Sequence, residues 1–288
     1  MPRFAANLSW LYEELPLIDR FAQAARDGFL GVECLFPYDH DRAALRAELD
    51  EYGLEWVLIN APPGDWAAGD RGLAARPGRE AAFQRSIDQA LDWALALGSR
   101  RVHVMAGVSG PDDDVDALWA LYQRNLEWAA RQAAGSGVSL LIEPINPVDM
   151  PGYLLTRQAE AHRLVSEIGA PHLMVQMDLY HCQMVEGEVT GWLSGALRPA
   201  GAGALASRVG HMQVAGVPGR HEPESDAIDY PAVFELIDQL GYAGWIGCEY
   251  RPRLSPQPGA TTAGLAWMAG YLQEQRFERA QDGAGPRP

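Results

Sequence analysis

Apolar residues along the chain fall into two alternating kinds of segment. Short runs recur as RFAANLS, GVECLF, LEWVLINA, RVHVMAG, VSLLIEPI, LMVQMDLY, VGHMQVAG and WIGCEY. Each is short and bounded by turn residues, as strands buried on both faces are. Between them lie longer segments with helical spacing. LPLIDRFAQAARDGF aligns Leu17, Phe21, Ala24 and Ala25 on one stripe. REAAFQRSIDQALDWALALG aligns Phe83, Ile87, Leu91 and Leu95, with Gly98 as its C-terminal cap. DALWALYQRNLEWAARQAAG repeats the pattern, and DYPAVFELIDQLG offers Asp229 as an N-cap and Gly241 just past its end.

Eight strands alternating with helices in 288 residues predict a (β/α)8 TIM barrel, an α/β fold that typically takes ~250 residues. A doubly wound sheet would want a glycine-rich phosphate turn straight after a strand. The one stretch of that composition, RPAGAGALASR, precedes the strand VGHMQVAG and reads as a loop. The expected organisation is one barrel domain over residues 1–278 and a disordered tail over 279–288, which ends in GAGPRP.

Active residues of a barrel sit at the C-terminal ends of its strands. Glu143 ends the fifth run, Asp178 ends the sixth, Gln213 lies in the seventh and Glu249 ends the eighth, at intervals of 35, 35 and 36 residues. Each polar group therefore lies one β/α unit beyond the last. Strand side chains alternate faces. Leu141 and Glu143 share a face, as do Gln176 with Asp178 and His211 with Gln213. The opposite positions (Val175, Met177, Met212, Val214, Ile246 and Cys248) are apolar and suit the helix side. Three carboxylates and an amide converging in one crevice raise one another's pKa or need a cation between them. One divalent ion, Mg2+ or Mn2+, meets that need through oxygen ligands.

Composition narrows the partners. With 23 Lys and Arg against 38 Asp and Glu, the net charge is −15, which disfavours nucleic acid and anionic membranes. The three cysteines, Cys34, Cys182 and Cys248, show no CxxC spacing. No run reaches membrane-spanning length and MPRFAANLSW lacks a signal-peptide core, so a cytoplasmic protein is expected. Self-association is left open.

The motifs IEPIN, QMDLYHCQ, GHMQVAGVPGRHEP and GCEYRP, with NAPPGDWAAGDRG earlier, resemble the hydroxypyruvate isomerase family. That family belongs to the xylose isomerase-like barrels, together with the ketose 3-epimerases. The resemblance runs from about Arg3 to the last helix. It implies metal ligation by Glu143, Asp178, Gln213 and Glu249, with Glu143 and Glu249 as the proton-transfer pair. Related epimerases usually carry His at the third ligand position, so Gln213 resembles the isomerase branch. The implied substrate is a small anionic hydroxy-oxo acid. Conversion of hydroxypyruvate to tartronate semialdehyde moves a proton from C3 to C2 through an enediolate, with a hydride shift as the alternative route.

Other polar residues are candidate contacts. His181 follows Asp178 by three residues and fits a bond to a substrate oxygen. Arg220 could fork onto a carboxylate. Asp149 matches an acidic contact position of the epimerases. His103 points inward if the alternation holds, and Trp10 and Trp66 could wall the pocket. Alternatives to hydroxypyruvate isomerisation are 2-dehydrotetronate isomerisation and ketose 3-epimerisation. A metal-dependent hydrolase or endonuclease would want more histidines and a basic groove, and a non-enzymatic binder would need no catalytic carboxylate.

Overall fold

The structure is a computed structural model, in which residues 2–196, 208–224 and 227–281 are described. All eight predicted strands form: β1 (Arg3–Asn7), β2 (Gly31–Cys34), β3 (Glu55–Asn60), β4 (Arg101–His103), β5 (Ser139–Ile142), β6 (Leu173–Asp178), β7 (Val209–Val214) and β8 (Trp245–Cys248). They pair in parallel in sequence order, and β8 closes on β1. Closure removes every sheet edge, so the backbone ladder is satisfied all round. The glycine-rich stretch and the terminal residues from 282 onward lie outside the described residues, apart from Arg208.

The helices follow from the same pattern. Glu80–Leu97 ends on Gly98, whose N–H bonds the carbonyls of Ala94 and Leu95 at φ 77°. Asp229 caps Tyr230–Gln239 by accepting from the Ala232 N–H. One expected core position differs. Leu95 is 56% exposed, and the buried face of its helix carries Phe83, Ile87, Ala90, Leu91, Ala94 and Leu97. At 3.6 residues per turn a stripe drifts, and a position three turns from Phe83 has rotated off the face that began there.

Two shells of packing result. Outward side chains of the strands, including Val175, Met177, Met212, Val214, Ile246 and Cys248, join the clusters shared with the helices. Inside the barrel a small apolar plug of Ala5, Val57, Leu58, Leu141 and Trp245 fills the end opposite the site. Trp245 makes the plug possible because Gly31 beside it has no Cβ; one added there would sit 2.8 Å from the indole. The Trp245 indole donates to Glu55 Oε1 at 3.0 Å and carries the Arg3 guanidinium over its face at 3.9 Å.

The strand register then sets the mouth. Asp178 pairs with Gln213, and Gln213 pairs with Gly247, so Glu249 lies two residues further along β8. Strand tilt in a barrel carries such staggered positions to one rim.

Trp245→Ala should cost about 3–5 kcal/mol, the usual range for deleting a buried aromatic side chain. Urea unfolding followed by circular dichroism checks this; a loss under 1 kcal/mol would show that the plug is not needed.

Candidate active site

The β5 run reaches Ile142, and Glu143 follows with Pro144 behind it. Proline lacks the N–H a ladder needs, so the strand stops and the carboxylate stays on its rigid end. Glu143 is 4% exposed. Its Oε2 lies 3.5 Å from His103 Nδ1, while its Oε1 has no hydrogen-bond partner. Burial, then the charges of Glu249 and Asp178, raise its pKa well above the carboxylate range. Burial also keeps His103 neutral, lowering its pKa to about 3 with a further push from His211.

Asp178 ends β6 and caps the helix Leu179–Glu186, with Oδ1 accepting from the Tyr180 N–H at 2.8 Å. Its Oδ2 has no hydrogen-bond partner and lies 3.7 Å from His181 Nε2 and 3.9 Å from Arg220 Nη2. Burial lifts its pKa to about 6, against the pull of Arg220. Glu249 follows β8 and accepts from Arg220 Nη2 at 2.6 Å and from Asn7 Nδ2 at 3.3 Å. Burial raises it to about 8, again opposed by Arg220.

Asn146 fixes the state of His181. Its Oδ1 accepts from the N–H groups of Val148 and Asp149 at 3.0 and 2.9 Å, which leaves its Nδ2 facing His181 Nδ1 at 2.6 Å. Nδ1 is thus the acceptor, and the neutral imidazole carries its proton on Nε2, toward Asp178 and the cavity. Burial, then Arg220, hold the ring's pKa well below its usual value.

These groups border one cavity of about 470 Å3. It brings together seven of the candidate residues: Glu143, Glu249, His181, Arg220, Asp149, His103 and Trp66. Trp10 lines it as well, while Asp178 and Gln213 are buried outside its lining. Arg220 reaches into the cavity from the segment after β7. Its two terminal nitrogens lie against Asp149 at 3.2 Å and Glu249 at 2.6 Å, so protein carboxylates take both prongs. Gln213 also has partners the sequence did not suggest, since its Oε1 accepts from Gln176 and its Nε2 donates to Glu33, each at 2.7 Å.

Glu33 is the residue sequence reasoning missed. It is 1% exposed and lies at the centre of a network, accepting from Asn7 at 2.9 Å and paired with His211 at 2.7 Å. Gly247 leaves room for it, because a Cβ there would sit 2.3 Å from its Oε1. The signal was present in GVECLF, a charged residue inside an apolar run, as in LLIEP.

The donor set fits a cation. Ligand atoms of Glu143, Asp178 and His181 lie within 4.8 Å of one another. Two of the oxygens involved are buried and unpartnered, a condition a positive ion relieves. With its proton on Nε2, His181 presents a donor to this space, so the two carboxylates are the better ligands of the three.

Fold and site together define a xylose isomerase-like TIM barrel, and the family model of that description matches residues 21–271. A 2-oxo-tetronate isomerase of Cupriavidus necator is 54% identical over 94% of this chain and 99% of its own. The hydroxypyruvate isomerase of Escherichia coli is 40% identical over 94% of this chain and 100% of its own. The chain belongs to the xylose isomerase-like TIM barrel family, in the branch that its motifs resemble. A solved structure from Brucella melitensis, described as an AP endonuclease of family 2, superposes with a TM-score of 0.87 at 44% identity and covers 94% of this chain and 99% of its own. Among the described residues no helix is long and apolar enough to cross a membrane.

The raised carboxyls give a thermodynamic signature. Each binds a proton in the folded chain at a pH where the unfolded chain has released it. Their contribution to stability therefore falls as pH rises from about 5 toward 8, the window set by values near 6 and 8 for Asp178 and Glu249. A divalent cation competes with those protons. Mg2+ or Mn2+ should raise the Tm of metal-free protein more at pH 8 than at pH 6, and Glu143→Gln should shrink the increment. Equal increments at both pH values would count against a carboxylate-lined cation site.

Proposed function

We propose that the protein is an isomerase of small 2-oxo-3-hydroxy acids, exchanging the oxidation states of C2 and C3. Hydroxypyruvate, converted to tartronate semialdehyde, is the smallest such substrate, and 2-oxo-tetronate adds one CH2OH group at C3. The observation that carries the reading is the facing pair Glu143 and Glu249. They line one cavity from β5 and β8, and both are held toward the protonated state by burial. A carboxyl poised near neutrality can take a proton in one step and return one in the next. The relatives support both substrates, one through the Cupriavidus necator protein and the other through the Escherichia coli protein.

In this reading one glutamate removes the C3 proton and the other delivers a proton to C2, while the hydroxyl proton passes from O3 to O2. Arg220, hydrogen-bonded to Glu249, orients that carboxylate and stabilises its charged form. His181 donates from Nε2 to a substrate oxygen, and Asp149 steadies Arg220 from its other prong. His103, neutral beside Glu143, completes the cavity floor, and Trp66 and Trp10 wall it. Glu143, Asp178, Gln213 and Glu249 are the residues that would hold one divalent ion, Mg2+ or Mn2+. Gln213 keeps a second lone pair on the oxygen that accepts from Gln176. Such an ion would supply positive charge that offsets the negative charge of an enediolate.

Two carboxylates also suit epimerisation of a neutral ketose, and solved epimerases share this fold at 15–18% identity. The isomerase reading is preferred because relatives at 40–54% identity are isomerases of acids.

Glu143→Gln should fold normally and lose ~10²–10⁴ in kcat at saturating divalent ion, the scale of a lost general base. Glu249→Gln should lose a similar factor, and the double variant should be little worse than either alone. Turnover of hydroxypyruvate and 2-oxo-tetronate, with deuterium uptake from D2O, measures both. Wild-type rates in Glu143→Gln on both acids would remove Glu143 from the chemistry.

A further inference from the structure

The cavity has two unlike halves. Glu143, Asp178 and Glu249 come from β5, β6 and β8, and Arg220 follows β7 with both prongs of its guanidinium on carboxylates. The reacting carbons belong there. The opposite half is lined from the segments that follow β1 to β4, and its residues include Leu35, Asn60, His103 and Met105. Of the three arginines that line the cavity, Arg71 is the one that this half supplies. Arg71 follows β3, four places from β7 in the closed order of eight strands, and so stands across the mouth from Arg220.

Arg71 is built into its place. Its Nη1 donates to the carbonyls of Trp66 and Asp70 at 2.9 and 2.8 Å, and its guanidinium carbon lies over the Trp66 ring, 3.8 Å from the centroid. The Trp66 ring packs in turn on Phe36, with centroids 5.6 Å apart. The loop is cross-braced as well. The Asp70 carboxylate accepts from the Asp65 N–H at 2.8 Å and pairs with Arg79 at 3.2 Å. Among the described residues no carboxylate lies within ion-pair reach of Arg71, and its Nε and Nη2 have no acceptor. Arg251, another cavity cation, follows β8 on the same side as Glu249 and faces Glu13 at 4.0 Å.

We propose that Arg71, held over Trp66, is the residue that reads the substrate carboxylate and makes the site select a small acid over a neutral ketose. This rests on the isomerase reading, and it gives Arg220 to the orientation of Glu249 rather than to anion capture. A guanidinium with one edge fixed by backbone carbonyls presents its other edge ready to form paired bonds to a carboxylate. A substrate anchored there by its carboxylate extends C2 and C3 toward the glutamates.

The experiment compares wild type with Arg71→Ala and Arg71→Lys, each checked by its melting curve. For hydroxypyruvate, Arg71→Ala should raise KM roughly 10–100-fold and leave kcat within a few-fold, since a charge-assisted pair is lost in ground and transition states alike. Arg71→Lys should recover part of the loss. Dihydroxyacetone carries CH2OH in place of the carboxylate, and its deuterium exchange should not change. Calorimetry with D-glycerate, which has the carboxylate but no ketone, reads the same contact without turnover, and its Kd should rise by a similar factor. Unchanged D-glycerate affinity in Arg71→Ala overturns the assignment, as does an equal loss with dihydroxyacetone, which would mark a loop-positioning role. Failure of the isomerase reading is a separate result: wild type would turn over neither acid while D-glycerate still distinguished the variants.

Discussion

Negative charge crowded into a buried barrel mouth is the constraint on which the site depends. Glu143, Asp178 and Glu249 are each under a tenth exposed, and each is pushed toward its protonated form by burial. Carboxylates removed from water need a compensating charge or a proton. Arg220 supplies part of it, and the unpartnered oxygens of Glu143 and Asp178 show where more is needed. The same tension that makes the arrangement costly lifts all three carboxyls above their ordinary range.

The barrel bears that cost because its rigid parts are elsewhere. The apolar plug around Trp245 and the outer shell against the helices hold the strands in one register. The middle layer is polar but well bonded: Glu33 joins Asn7, His211 and Gln213, and Asn7 reaches up to Glu249. Asn7 thus ties the carboxylate rim to the layer beneath, and Glu249 is positioned from below by Asn7 and from the side by Arg220. A side chain fixed from two directions keeps one geometry.

Much of this was legible in the chain because parallel barrel strands are buried on both faces and read as unbroken apolar runs. A charge at the end of such a run stands out, which is how Glu143, Asp178 and Glu249 were found. Glu33 has the same signature but lies on β2, outside the regular spacing of the later strands, so it drew no notice. Contacts across the barrel were not legible. The bond from Gln213 to Glu33 joins residues 180 apart, and only closure of the sheet brings them together. The pairing of Arg220 with Glu249 depends on a loop that turns back at φ 52°, a conformation no spacing rule announces for arginine. Leu95 was misplaced for a simpler reason, the phase drift of a long helix.

The clamp of Asn146 on His181 gives the pocket a polarity of its own. Backbone N–H groups of Val148 and Asp149 dictate which end of the amide faces the ring, and the amide dictates which ring nitrogen keeps its proton. The relay runs one way, from main chain to cavity, and arrives as an N–H. A ketone or hydroxyl oxygen accepts there. An ammonium, with only hydrogens to offer, does not, so the orientation of a single asparagine side chain decides which kind of atom the ring can receive.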